Sequence, residues 1–189
     1  MNTSVLMRFV LVCVALSIIV TATAQQGQSP STPAPAVKVI KTEVHCGESA
    51  GSMEPYDMNI TVLQVVRGND AWERLKAASA ANNPAKAGFE YIVAHVSIEM
   101  KPRVAPANKT FDLGRPMQFI ALSEDGREYE TPSVTPPKPE LSRPLHANES
   151  ADGWVVFLVA QKESKPVMIF DPSSGGAMGR GKAVFFSLY

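Results

Sequence analysis

GFEYIVAHVSIEM, residues Gly88 to Met100, alternates with a period of two along its length. Ile92, Ala94, Val96, Ile98 and Met100 fall on one face, and Tyr91, Val93, His95, Ser97 and Glu99 on the other. A pleated strand buried on one side needs that period, whereas a helix repeats every 3.6 residues. It is the longest clear strand signal in the chain. It predicts a central strand on which later strands pack.

The surroundings fit one globular domain. The chain has 189 residues with an apolar share of 45%, enough for a core. Formal net charge is zero. That gives no electrostatic case for nucleic acid or an anionic membrane surface as a partner. Fifteen prolines against twelve glycines favour extended segments and long loops over helices.

The N-terminal end reads as an export signal. Within Met1 to Ala24 the one charge is Arg8, and the apolar run Phe9 to Val20 follows it. At about 12 residues, the run is too short to span a hydrocarbon core of ~30 Å. It leads to Ala22-Thr23-Ala24, a small-x-small cleavage pattern, and then polar Gln25. An uncleaved anchor is the rival reading. A lipoprotein would use Cys13, but Val12 stands where a small residue is expected, and Cys13 lies inside the apolar run. Cleavage removes Arg8 and no acid, leaving a net charge of −1 and a single cysteine, Cys46. An exported domain with one cysteine has no internal disulfide, so its stability must come from packing. His45 beside Cys46 lacks the second ligand pair that a metal site needs. No membrane span is expected in the mature chain.

Gln25 to Ala36, QQGQSPSTPAPA, has no large apolar residue. Such a segment buries too little to offset its ordering entropy and is expected to be a disordered, partly polyproline-like tether. The folded domain is expected over residues 37–189. Val37–Val44 reads as a weak strand and Tyr56–Val66 as a firm one. Asp70–Ala81 is the one convincing helix, with Asp70 as cap and Glu73 three residues on as a capping box. Trp72, Leu75 and Ser79 form its inner stripe, and Asn82-Asn83-Pro84 stops it. Met117–Ser123 and Arg127–Thr131 flank Glu124-Asp125-Gly126 as a hairpin. Pro132–Ser150 holds five prolines and is expected as a surface crossover between sheets, although Pro136-Pro137-Lys138-Pro139 has the spacing of a polyproline ligand. Gly153–Ala160 is apolar on both faces and predicts an inner strand. Val167–Asp171 and Ala183–Leu188 complete the set. About eight strands and one helix predict an all-β antiparallel sandwich with one short inserted helix.

The order of these pieces carries a family likeness. Tyr56-Asp-Met-Asn-Ile-Thr-Val leads to a helix with Ala71-Trp72, then Asn83-Pro84, Gly88-Phe-Glu-Tyr and a hydrophobic strand. Phe119-Ile-Ala-Leu-Ser-Glu-Asp-Gly-Arg-Glu-Tyr and Gly153-Trp-Val-Val-Phe follow. This order resembles a domain-of-unknown-function family of exported bacterial proteins with a telokin-like, immunoglobulin-like β-sandwich. The match spans roughly Val39 to Tyr189. The family is similar to secreted antigen-type and lipoprotein-borne domains and has no established catalytic residues, so the resemblance transfers no site. The chain departs from the lipoprotein members in lacking a lipobox.

Motifs that suggest chemistry mostly fail on context. Gly176-Ala-Met-Gly-Arg-Gly181-Lys182-Ala183 matches a P-loop except at its last position, where Ala183 replaces the magnesium-holding Ser or Thr. Strand-like Val184–Tyr189 follows where a helix is required. A Ser-His-Asp hydrolase would draw on His45, His95 or His146, and no G-x-S-x-G elbow is present. Glu124 and Asp125 lack the ligand count for calcium. Asn59, Asn108 and Asn148 head glycosylation patterns, which mean little in the bacterial setting that the resemblance implies.

The sequence thus predicts an exported, non-catalytic binding or interaction module of the cell envelope or extracellular space. Its ligand would be a protein or envelope component, with no cofactor, no metal and no nucleic acid. Candidate binding regions are the Gly47–Pro55 loop, the Asp70–Gly88 helix and loop, and the Pro132–Ser150 loop. The competing readings are a metal-assisted hydrolase using His146 or His45 with nearby acids, and a structural spacer of an envelope complex.

Overall fold

The computed structural model describes residues 25–115, 117–174 and 179–189. The expected export signal, Met1–Ala24, and Gly176–Met178 of the P-loop-like string lie outside them. The fold is all-β with one helix. Its elements are β1 (Ile40–Cys46), β2 (Glu54–Arg67), α1 (Gly68–Ala78), β3 (Phe89–Pro102), β4 (Phe111–Asp112), β5 (Phe119–Leu122), β6 (Pro144–Leu145), β7 (Ser150–Ala160), β8 (Val167–Phe170), β9 (Gly179–Gly181) and β10 (Val184–Ser187). Antiparallel ladders build a five-stranded sheet in the order β7-β3-β2-β1-β9 and a three-stranded sheet β10-β8-β5; β4 and β6 form a short third pair.

The alternation in β3 is realised as read. Ile92, Ala94, Val96, Ile98 and Met100 are all fully buried. They join Met58, Ile60 and Val62 of β2 in one core cluster. The small sheet supplies Phe119, Ala121, Met168, Phe170, Val184 and Phe186 to the same cluster. On its other face β3 directs Tyr91 and Val93 into a second cluster beneath α1, while His95, Ser97 and Glu99 are half-buried. Towards the far end that face is polar. Arg103 bonds Asp57 at 2.6 Å and also reaches Glu43, and Lys41 reaches Asp57 at 2.7 Å, which ties β1, β2 and the residues just after β3 together.

Four expectations need correction. Gln25–Ala36 is not a free tether. The Gly27 N–H bonds the Thr32 carbonyl at 2.7 Å, Ala34 is fully buried, and its N–H and carbonyl bond Phe185 and Ser187 at 2.8 Å. Backbone pairing along β10 orders this stretch, and amino-acid composition holds no trace of such pairing. Second, α1 begins at Gly68, immediately after β2, and ends at Ala78. Arg67 is its N-cap, with no side-chain cap bond. Gly68, at φ +64°, turns the backbone straight from strand into helix, so Asp70 sits inside the first turn, where the positive end of the helix dipole favours its charge. Ala71 and Leu75 are the buried residues, and Trp72 flanks them.

Third, the hairpin keeps its turn but lacks its second strand. The Ser123 N–H bonds Arg127 O at 2.9 Å, and the Tyr129 N–H bonds Ala121 O at 2.8 Å. Pairing then stops, and the backbone departs at Pro132 without forming a strand over Arg127–Thr131. Fourth, β7 is an edge strand, not an inner one. It is apolar on both faces because both are covered: Phe157 and Val159 pack into the main core, and Trp154, Val156 and Leu158 pack with α1.

The register yields a paired test. Ile98→Ala should lower unfolding free energy by about 2–5 kcal/mol, the usual cost of emptying a filled core site. Ser97→Ala, one residue along, should change it by less than about 0.5 kcal/mol. Urea unfolding of both variants measures the difference; equal losses would contradict the register.

Candidate functional site

The site with the most recognition chemistry lies along the free edge of β7. The segment between Thr131 and Ser142 crosses this edge. It is rich in proline, and a proline has no N–H to give to a ladder. It is held at two points. The Trp154 N–H bonds Pro139 O at 2.9 Å. The Asn82 amide does the rest: Nδ2 donates to Thr135 O at 2.9 Å and to Leu75 O at 2.7 Å, while Oδ1 accepts the Thr135 N–H at 2.8 Å. One amide thus imitates a strand neighbour for Thr135 and closes the C-terminal end of α1. Gly153 is required where the crossover passes, because a Cβ there would stand 2.5 Å from Leu141 N.

Beyond Trp154 the edge opens. In an antiparallel ladder successive residues point their backbone groups alternately towards and away from the partner strand. Trp154 points away from β3, so Val156 and Leu158 do too. Neither has a backbone hydrogen bond outside the β3 ladder among the described residues. Beside Val156 runs a groove of about 180 Å³, lined by Met117, Phe119, Pro132, Val134, Pro136, Val155 and Val156, with exposed Arg115, Glu140 and Ser142 also along it. Pockets for drug-sized ligands run from roughly 300 to 1,000 Å³. This one has room for a side chain or two. An open backbone edge next to a small apolar groove suits an extended peptide segment. A larger open depression of about 890 Å³, beside Gln25, Gln28 and Lys38–Lys41, is lined mainly by amides and lysines.

Trp154 anchors the other side of the edge. Its ring stacks on His95 at 4.6 Å between centroids, and the Arg74 guanidinium lies 4.8 Å from the ring centroid. His95 also bonds Asp152 at 2.8 Å. The other histidines are engaged separately: His45 with Glu43 at 2.8 Å, and His146 with Thr110 at 3.1 Å. Among the described residues no group of three or more His, Cys, Asp or Glu side chains is placed to hold a metal. Gly179–Gly181 of the P-loop-like string is strand, paired with Val44–Cys46.

Of the three loops singled out in the sequence, Pro132–Ser150 lines the groove, and Asp70–Gly88 contributes through Asn82. Gly47 and Glu48 lie apart, in a shallow polar depression with Asn108, Lys109, Thr110 and Asp112. Beside that depression the Tyr56 hydroxyl donates to Glu54 at 2.7 Å and accepts the Lys109 N–H at 3.0 Å. The Tyr56 hydrogen bond, with help from the backbone N–H groups of Asn108 and Lys109, holds the Glu54 carboxyl below its usual range. Burial, reinforced by the Glu54 charge, pushes the Cys46 thiol up to about 12 and leaves it inert. Sequence reasoning missed Asn82 and Met117. Asn82 reads locally as a helix stop, and its partner Thr135 lies 53 residues away.

No family model and no curated protein matches the chain. The chain is similar to the solved crystal structure of the yjhA protein from Bacillus subtilis, with 11% identity over 74% of this chain and 82% of that one, at a TM-score of 0.42.

Asn82→Asp removes both donors and sets a carboxylate against two carbonyls. It should lower the melting temperature and speed proteolysis within 131–140, while Asn83→Asp should do neither; unchanged cleavage would contradict the strap. Glu54 offers a pH test. Its folded pKa is depressed, so its contribution is present above the ordinary Glu value and is lost as pH falls through the folded one. Urea midpoints of Glu54→Gln should therefore fall less steeply than wild type below about pH 4.3. Parallel curves would refute it.

Proposed function

We propose that the protein is an exported, non-catalytic binding module acting in the cell envelope or outside the cell after cleavage following Ala24. We read its two facing sheets as an immunoglobulin-like, telokin-like sandwich of the exported domain-of-unknown-function family that its sequence resembles. It binds an extended segment of a protein partner along β7. The observation that carries this reading is the open backbone at Val156 and Leu158, with an apolar groove beside Val156. Recognition by strand addition draws affinity from main-chain hydrogen bonds and specificity from pockets for alternate side chains. The crossover gives such an edge its selectivity: a bare edge pairs with any strand, and a partly covered one admits only a segment that fits the groove.

A photo-crosslinking residue at Ser142, along the groove, tests it in the native exported fraction. The expected result is one discrete adduct, lost when Met117→Asp places a charge in the groove, and none from the same residue at exposed Val104. Equal labelling from both positions, or an adduct indifferent to Met117→Asp, would sink the proposal.

A further inference from the structure

We propose that Gln25 is a modification site, where the new amino terminus closes on its own side chain to form pyroglutamate. The proposal rests on the export reading, which makes Gln25 the first residue of the mature chain. Three observations favour it. The backbone just after Gln25 is fixed on the domain surface: the Gln28 N–H bonds Gln25 O at 3.3 Å, the Gly27 N–H bonds Thr32 O at 2.7 Å, and Gly27 O accepts the Phe185 N–H at 2.9 Å. Gln25 itself is exposed, so its side chain is free to fold back on the terminus. The Lys38 ammonium already stands near it, while Lys41 is paired with Asp57 at 2.7 Å. Gln25 lines the same depression as Lys38 and Lys41, and Lys38 Nζ reaches the Gln26 side chain at 2.5 Å. A free terminal ammonium would add a further positive charge there, and cyclisation removes it.

The step needs no co-reactant. The neutral α-amino nitrogen attacks Cδ of Gln25, a C–N bond forms to close a five-membered lactam, and the Cδ–Nε2 bond breaks to release ammonia. The attacking nitrogen loses a proton to the departing ammonia, and nothing is oxidised or reduced. The product has an uncharged terminus that aminopeptidases cannot open.

Intact mass and Edman degradation of the protein recovered from its native compartment test this. The expected result is a polypeptide beginning at Gln25, lighter by one ammonia and blocked to Edman chemistry, while Gln25→Ser gives the full mass and an open terminus. A polypeptide beginning at Gln25 with its full mass and a free amine would overturn cyclisation and leave export standing. One retaining Met1, or starting elsewhere, would overturn the export reading and the modification with it.

Discussion

The double ladder of β3 is the constraint on which the other elements depend. β3 pairs with β2 on one side and β7 on the other along most of its length. Its period-two pattern therefore assigns a face to three strands at once, and a slip of one residue would turn Ile98 and Met100 out of the core. The small sheet has no comparable freedom. Its aromatic residues, Phe119, Phe170 and Phe186, fill the space above the β3 face. Phe119 and Phe170 meet at 5.0 Å between ring centroids, in the tilted arrangement that aromatic pairs favour.

The outer face of β2 and β3 divides into two environments. One end is apolar and lies beneath α1, which Gly68 brings directly off β2. The other end is a lattice of charges centred on Asp57 and Arg103. Burial tends to raise the Asp57 carboxyl, but hydrogen bonds from Lys41 and Arg103 outweigh it and hold it below the usual range. The Lys41 and Arg103 ends of these pairs are exposed to solvent screening, so their part is to set orientation more than to stabilise. The helix end contributes the larger share, because it removes Ala71, Leu75, Tyr91 and Val93 from water.

The edge of β7 is where the five-stranded sheet ends. Full pairing would close the sheet, and a bare edge would invite aggregation. A proline-rich crossover covers the edge, bonded to it at Trp154 and held by Asn82 at Thr135, and leaves Val156 and Leu158 without a further backbone partner among the described residues. Pro132 and Pro136, which line the groove, have no N–H to offer a ladder.

Much of this was legible in the amino-acid sequence. The strands at Tyr56–Val66 and Gly88–Met100, the existence of a helix around Trp72 and Leu75, and the all-β class follow from local periodicity, since burial on one face imposes its spacing on consecutive residues. The apolar character of Gly153–Ala160 was equally plain, but the position of that strand in the sheet was not: two-sided burial looks the same at a centre and at a covered edge. Docking of Gln25–Ala36 on β10, the mimicry of a strand by Asn82 and the open donors of Val156 and Leu158 were decided by tertiary structure alone. All three are made by or to backbone N–H and C=O groups, which every residue but proline carries alike. Side-chain pattern dictated which surfaces are hidden; only the fold decided which backbone groups were left to be met.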